Sequence, residues 1–230
     1  MSSYVECAWA LIARVHASNY GQLVSRLLRQ CLLVTQPRKG SDSSSWKHAT
    51  TVAQSSVMSA LVAVLTVTAV PLPPPLSTLT LAPVAIFVGS VFLGPRVGFI
   101  SGLLGSAVGF TIASTVGTIA GASPGSGLFP IFLAGIVVAR GPEGYFVGLL
   151  RKKNEILAMA LGTVYETLAF FLIDFLYTYP ILLGMPNSFA FLDFGTLIDL
   201  VFIVPAVIVL RYLRAHLGVS YYDEGVPLAS

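Results

Sequence analysis

Apolar residues dominate six stretches of the chain, separated by short breaks rich in polar residues, proline or glycine. The stretches cover about residues 50–70, 81–93, 97–119, 128–150, 155–179 and 189–213. A transmembrane helix needs about 20 mostly apolar residues. The pattern therefore predicts an all-α membrane protein, a bundle of six transmembrane helices. Because the second stretch is short, we expect part of the loop before it to lie at membrane depth, covered by protein or water.

Glycine recurs at nearly regular spacing around the third stretch, at positions 94, 98, 102, 105 and 109. Residues four apart share one face of a helix, so most of these glycines form a groove almost without side chains. Within lipid, helices associate through close approach of their backbones, which small residues permit. We expect the other helices to pack into this groove. A buried glycine-rich helix of a large soluble domain is the alternative.

Prolines mark where the predicted helices bend or end. The run from Pro71 to Pro75 favours an extended connection after the first helix. Pro142 predicts a kink in the fourth helix, and Pro180 predicts the end of the fifth.

Composition supports the membrane assignment. Of 230 residues, 55% are hydrophobic and 10% are charged, whereas soluble domains carry about 25% charged residues. The net charge of +3 is small, and the basic residues lie at the ends and in short loops, which indicates topology and not nucleic-acid binding. Cys7 and Cys31 have no ligand spacing, so we expect neither a disulfide framework nor a metal site.

Lysine and arginine occur in alternate loops only. The loops after the first, third and fifth stretches hold none. Cytoplasmic loops are enriched in these residues, so the pattern predicts a multi-pass cell-membrane protein with both termini in the cytoplasm. The residues that set this orientation are Arg38, Lys39, Lys47, Arg96, Arg151, Lys152, Lys153, Arg211 and Arg214.

The chain divides into three parts. Residues 1–48 form a basic extension that is either an amphipathic cytoplasmic segment or not part of the functional protein. Residues 49–218 form the six-helix domain, which we expect to bind the substrate, and residues 219–230 form a short C-terminal tail.

Ionisable residues inside predicted membrane helices are costly and usually face an interior cavity. Helical spacing places Glu166, Phe170, Asp174 and Tyr177 on one broad face of the fifth helix. Thr196 and Asp199 lie on the sixth helix. These groups predict a pocket, open to the exterior, that orients a small molecule among aromatic rings. Alternatively, the carboxylates cap helix ends or bond hydroxyl groups for purely structural reasons.

Other charged and reactive residues limit the possible chemistry. Arg140 and Glu143 are three residues apart and could form an internal ion pair; substrate binding is the alternative. The predicted helices contain no histidine pair and no Glu-x-x-His motif, which argues against an intramembrane metalloenzyme. The chain also has no G-x-x-x-x-G-K-[ST] loop, so we expect no ATP hydrolysis by this chain alone.

Three segments occur together in the order expected of a known family: FLGPRVGFISGLLGSAVG at 92–109, VARGPEGYFVGLLRK at 138–152 and LGTVYETLAFFLIDFLY at 161–177. With the six-helix layout and the proline-rich first loop, they resemble the substrate-binding S component of energy-coupling factor (ECF) vitamin transporters. The resemblance covers about residues 50–217 and does not explain the N-terminal extension.

The resemblance implies a membrane subunit, not an enzyme, that captures a vitamin or similar micronutrient from outside. It also implies a transmembrane coupling (T) subunit and two cytoplasmic ATPases as partners, and no cofactor. Carried over by position, the face formed by Ser56, Ser59, Ala60 and Ala63 would meet the T subunit. Pro73, Pro74 and Ser77 would belong to a lid over the pocket, and Asn187, in the loop before the sixth helix, would join the pocket.

Three hypotheses remain open on the sequence alone. The first is a subunit of a vitamin transporter, for which thiamine precursors, riboflavin and pyridoxine are all possible ligands. A membrane scaffold or assembly subunit without a small-molecule ligand is the main alternative function. An intramembrane enzyme is the least supported, because no acid, base and nucleophile can be placed together.

Overall fold

The structure is a computed structural model, and it describes residues 43–68, 70–71, 78–117 and 125–217. The chain divides into two compact units, Met1–Ala53 and Gln54–Ser230. The described part of the first unit, residues 43–53, forms the beginning of helix α1. The packing described below concerns the second unit.

The described residues form six helices and one small pair of strands. Helix α1 is Ser43–Val67, α2 is Ala82–Leu93, α3 is Pro95–Val116 and α4 is Phe129–Leu150. Helix α5 begins as the α-helix Glu155–Ile173 and continues in π winding over Asp174–Leu183. Helix α6 has a 3₁₀ part, Asn187–Phe202, and an α-helical part, Ile203–Leu217.

Five of these helices are long and apolar enough to cross a membrane, whereas α2 is not. The 12 residues of α2 span about 18 Å, against about 30 Å of hydrocarbon. Every residue of α2 except Val84 is buried, so protein surrounds this helix on all sides. The predicted arrangement of helices is therefore confirmed in outline, while the orientation of the termini stays a prediction.

The connection between α1 and α2 contains a short hairpin. Strand β1, Val70–Pro71, pairs antiparallel with β2, Thr78–Leu79. The sequence predicted an extended connection here but not its pairing. The predicted lid residues Pro73, Pro74 and Ser77 lie outside the described residues.

The turn between α2 and α3 depends on one glycine. Gly94 has φ of 110°, a conformation that residues with a side chain rarely adopt. Its backbone N–H donates to the carbonyl of Ser90 at the end of α2. Helix α3 then begins at Pro95, two residues earlier than predicted, because proline suits the first helical position.

The glycine groove of α3 is filled by backbone from two helices, as the sequence predicted. A Cβ atom added at Gly98 would lie 2.6 Å from the carbonyl oxygen of Gly144 in α4. One added at Gly105 would lie 2.7 Å from the carbonyl oxygen of Ser59 in α1. Both distances are shorter than real Cβ contacts, so only glycine permits this packing. The change of partner falls inside the π turn Ser101–Gly105, where Gly102 contacts α4 and Gly105 contacts α1.

Pro180 does not end the fifth helix, and that prediction is wrong. The winding is already wide from Asp174 onward, and α5 continues through Pro180 to Leu183. A π winding is wider than an α-helix, so it leaves room for a proline ring that would clash inside an α-helix. The helix ends before Gly184, where φ is 62°. Pro142 lies within the unbroken helix α4, and the kink expected there stays a prediction.

Helix α4 occupies the middle of the bundle and packs against α2, α3 and α5, while α6 packs against α2 and α5. Many large apolar side chains on the outer faces of α3 to α6 are exposed, among them Leu104, Val108 and Leu168. A surface of this kind suits contact with lipid.

Candidate functional site

A buried ion pair joins the middle of α4 to the middle of α5. The Nε atom of Arg140 donates to Oε1 of Glu166 over 3.0 Å. The same guanidinium donates from Nη2 to the hydroxyl of Thr80 over 3.2 Å. Thr80 directly follows strand β2, so Arg140 also ties the hairpin to α4. Such a charge is stable inside an apolar bundle only when it is paired and hydrogen-bonded.

Glu143 lies one turn further along α4 and is 0% exposed. Its carboxyl group contacts that of Glu166, and neither of its oxygens accepts from an N–H or hydroxyl group among the described residues. The expected ion pair between Arg140 and Glu143 is therefore corrected: Arg140 is bonded to Glu166. Glu143 packs against α5 at Gly162, where an added Cβ would lie 3.4 Å from its Cγ.

Helix α6 contributes the third carboxyl group. Asp199 is buried, and it interacts electrostatically with Arg140, as do Glu166 and Glu143. We refer to Arg140, Glu143, Glu166 and Asp199 as the charge cluster. It combines one guanidinium with three carboxyl groups, so the acidic groups outnumber the single basic one.

A pair of threonines links α5 to α6 beside the charge cluster. The hydroxyls of Thr167 and Thr196 share a hydrogen bond of 2.8 Å. Thr196 also donates to the carbonyl oxygen of Asp193 over 2.7 Å. Because Thr167 directly follows Glu166, this link holds α6 next to the ion pair.

The predicted site residues separate into three sets. Glu166 and Asp199 meet in the charge cluster, and Thr196 is joined to it through Thr167. Asp174 instead lies next to Asp193 of α6, in a second acidic group. Phe170 is half-buried, and Tyr177 and Asn187 are exposed. A role of these last three residues in binding stays a prediction.

In the sequences of α5 and α6, aromatic residues stand between the members of the two acidic groups. Phe171 follows Glu166 and precedes Asp174, and Phe194 lies between Asp193 and Asp199. Their ring centroids are 5.2 Å apart, and the ring of Phe191 lies 5.4 Å from that of Phe171. Phe191 and Phe194 are exposed, so these rings form an aromatic surface where α5 meets α6.

Sequence reasoning missed the places of Thr80, Glu143 and this aromatic group. The burial of Glu143 had one signal, a second charge three residues from Arg140 inside an apolar stretch. Nothing in the spacing of Thr80 indicated its contact with Arg140.

Residues 47–213 match the family model of the ECF-type riboflavin transporter S component. The chain belongs to this family. The resemblance seen in the sequence is thereby confirmed, and this S component is a substrate-binding membrane subunit of an ECF transporter, not an enzyme. Membership places it in the membrane as a multi-pass protein and implies an ECF T and ATPase module and a vitamin ligand. No curated protein and no solved structure matches the chain.

The residues of α1 that were predicted to meet the T subunit differ in exposure. Ser56 and Ala60 are exposed on α1, whereas Ala63 is buried. A Cβ atom added at Gly109 of α3 would lie 2.9 Å from Ala63, and the carbonyl of Ser59 contacts Gly105 as described above. Ser59 and Ala63 thus contribute to packing within the chain, and contact of the four residues with a T subunit stays a prediction, with Ser56 and Ala60 as its exposed members.

Proposed function

We propose that this S component binds riboflavin from outside the cell and delivers it for uptake driven by partner ATPases. The family description supports riboflavin as the ligand. The observation that carries the proposal is the charge cluster, a set of buried polar groups from α4, α5 and α6 inside an apolar bundle. Riboflavin combines a flat aromatic ring system with a chain of hydroxyl groups, and α5 and α6 carry both aromatic rings and hydrogen-bond acceptors.

The position of Thr80 supports a lid at the same site. Thr80 lies one residue after β2 and is bonded to Arg140. Because α2 is too short to cross the membrane and Thr80 is bonded to Arg140, we expect the hairpin side of α2 to lie at depth, close to the charge cluster. We infer that the hairpin connection covers the bound ligand.

The energy for uptake would come from other subunits. The chain has no phosphate-binding loop, and its family implies an ECF T and ATPase module. Small side chains at Ser56 and Ala60 would allow close approach of a T-subunit helix.

Titration of the purified protein with riboflavin, followed by quenching of flavin fluorescence, tests the proposal. We expect tight binding that thiamine and pyridoxine do not compete away. Glu166→Gln and Asp199→Asn should weaken binding by about 10- to 100-fold, the size of a lost charged hydrogen bond. Glu155→Gln is the matched control, because Glu155 is the first residue of α5 and pairs with Arg214, away from the charge cluster.

A folded, monodisperse protein that binds no flavin would overturn the proposal. Competition by thiamine or pyridoxine at equal strength would reassign the ligand. If Glu166→Gln and Asp199→Asn changed only thermal stability, a scaffold subunit would be the better interpretation.

A further inference from the structure

A hydrogen bond between two carboxyl groups joins the last part of α5 to the first part of α6. Asp174, where the π winding of α5 begins, bonds through its side chain to Asp193 in the 3₁₀ part of α6. The side chain of Thr178, a buried residue, also bonds to Asp174. Both aspartates are partly exposed. We refer to Asp174 and Asp193 as the carboxyl pair.

No basic side chain pairs with these two groups in the part of the chain that the structure describes. Lysine, arginine and histidine are absent from residues 155–210. Helix α2, which packs against the 3₁₀ part of α6, has no ionisable side chain, and neither do residues 129–139 of α4, which lie beside this part of α5. Tyr179 of α5 interacts electrostatically with both aspartates. The carboxyl pair therefore differs from Glu166, which is bonded to Arg140.

The bond within the carboxyl pair requires one shared proton. An ionised carboxylate has no hydrogen to donate, so one member of the pair must be protonated. If both were ionised, two like charges would lie side by side, partly shielded from water and with no cation to offset them. Adjacent carboxyl groups avoid this repulsion by holding one proton between them.

The carboxyl pair lies where both helices depart from α-helical geometry. Helix α5 has π winding over Asp174–Leu183, and α6 has 3₁₀ winding over Asn187–Phe202. Such stretches often mark functional hinges and sites. The hydroxyl bond between Thr167 and Thr196 also joins the two helices. Loss of the shared proton would remove a polar link from this junction and put repulsion in its place.

We propose that the proton shared by the carboxyl pair controls how closely the last part of α5 and the first part of α6 pack, so that the two separate as the pH rises. With the proton bound, the hydrogen bond holds them together. On deprotonation the proton passes to solvent, which the partly exposed side chains can reach, and the two carboxylates repel each other. This switch does not depend on which vitamin the protein binds, so it goes beyond the proposed function.

Two spin labels can report the separation of the helices. Leu176 on α5 and Leu192 on α6 are exposed, so Leu176→Cys and Leu192→Cys should accept labels without disturbing the core. Cys7→Ser and Cys31→Ser remove the two native cysteines. The distance between the labels is then measured by electron paramagnetic resonance in detergent over a range of pH, and infrared spectra of the unlabelled proteins detect protonated carboxyl groups.

The labelled protein should show a short distance at acidic pH and a second, longer distance as the pH rises. If one proton binds only the closed form, the ratio of short to long distances should fall by up to about tenfold per pH unit through the transition. Asp193→Asn should keep the short distance at every pH, because its amide N–H donates to Asp174 without a titrating proton. Glu155→Gln, the matched control, should follow the parent protein, because Glu155 pairs with Arg214.

The infrared spectra supply an independent result. At acidic pH, a carboxylic acid band of the wild type should be missing from Asp193→Asn and present in Glu155→Gln. Absence of this difference would overturn the proposal, as would a label distance that stays constant while the band disappears with rising pH. An unchanged pH dependence in Asp193→Asn would also refute it. If Asp193→Asn does not fold, Asp174→Asn carries the same expectations, since its amide can donate to Asp193.

Discussion

Substitution of Gly102 by alanine tests whether backbone contact between α3 and α4 builds the site. A Cβ atom at this position would lie 2.3 Å from the carbonyl oxygen of Arg140 and 3.1 Å from its carbonyl carbon. Ordinary contacts of this kind begin near 3.4 Å, so the two helices must separate locally by roughly 1 Å. The obstacle is main chain, and no change of rotamer can relieve it.

The expected cost follows from this displacement. Overpacking costs about 1–3 kcal/mol, and a main-chain obstacle places Gly102→Ala at the upper end of that range. Alanine regains up to about 1 kcal/mol of helix propensity, so we expect a net loss of about 2 kcal/mol of unfolding free energy. For a chain of this size, that loss lowers the melting temperature by about 4–8 °C. Because the displaced carbonyl belongs to Arg140, riboflavin affinity should also fall.

Thermal unfolding in detergent, monitored by loss of the monodisperse peak in size-exclusion chromatography, measures the effect. The matched control is Gly135→Ala on α4, where an added Cβ would have nothing nearer than Ile173 at 4.0 Å. This control should be neutral or gain up to about 1 kcal/mol. Equal melting temperatures for the two variants would refute the idea that close backbone approach holds α3 against α4.

Three further variants test other contacts. Arg140→Lys keeps the charge but loses the planar guanidinium that bonds both Glu166 and Thr80. Fluorescence titration should therefore show at least about tenfold weaker riboflavin binding. Unchanged affinity would contradict the assigned role of Arg140. Arg151→Met removes the hydrogen bond from Nη1 to the carbonyl of Val91 at the end of α2. Thermal unfolding should show a loss of about 1–3 kcal/mol of unfolding free energy. An altered riboflavin affinity would count against a purely structural role of Arg151. Ala60→Leu adds bulk to the exposed face of α1 and should abolish co-purification with the T subunit without changing flavin binding. Val108→Leu, on the exposed face of α3, is its control, and normal assembly of Ala60→Leu would remove this surface from the predicted interface.

The helices and their closest packing could be predicted because both are encoded locally. A run of apolar residues is enough to predict a membrane helix, and spacing along one helix predicts the groove of Gly98, Gly102, Gly105 and Gly109. The partners of that groove could not be predicted. Two glycines contact α4 and two contact α1, and the change of partner falls between Gly102 and Gly105, inside the π turn.

The candidate site could be predicted only in part, because its bonds join distant positions. Spacing within α4 suggested a pair between Arg140 and Glu143, yet the partner of Arg140 lies 26 residues away on α5. The shared face of Glu166 and Asp174 on α5 suggested one pocket. The structure divides these residues between two acidic groups, since Asp174 lies in the π winding and next to Asp193.

The contact between Gly102 and the carbonyl of Arg140 determines which wall of the site is able to move. Main chain rests directly on main chain there, with no layer of side chains that could compress or rotate. This contact leaves α3 and α4 little freedom to move against each other, so room for an incoming molecule would have to come from α5, α6 or the β1–β2 pair. Those elements would then govern entry and release of the vitamin, while α3 and α4 serve as the fixed frame.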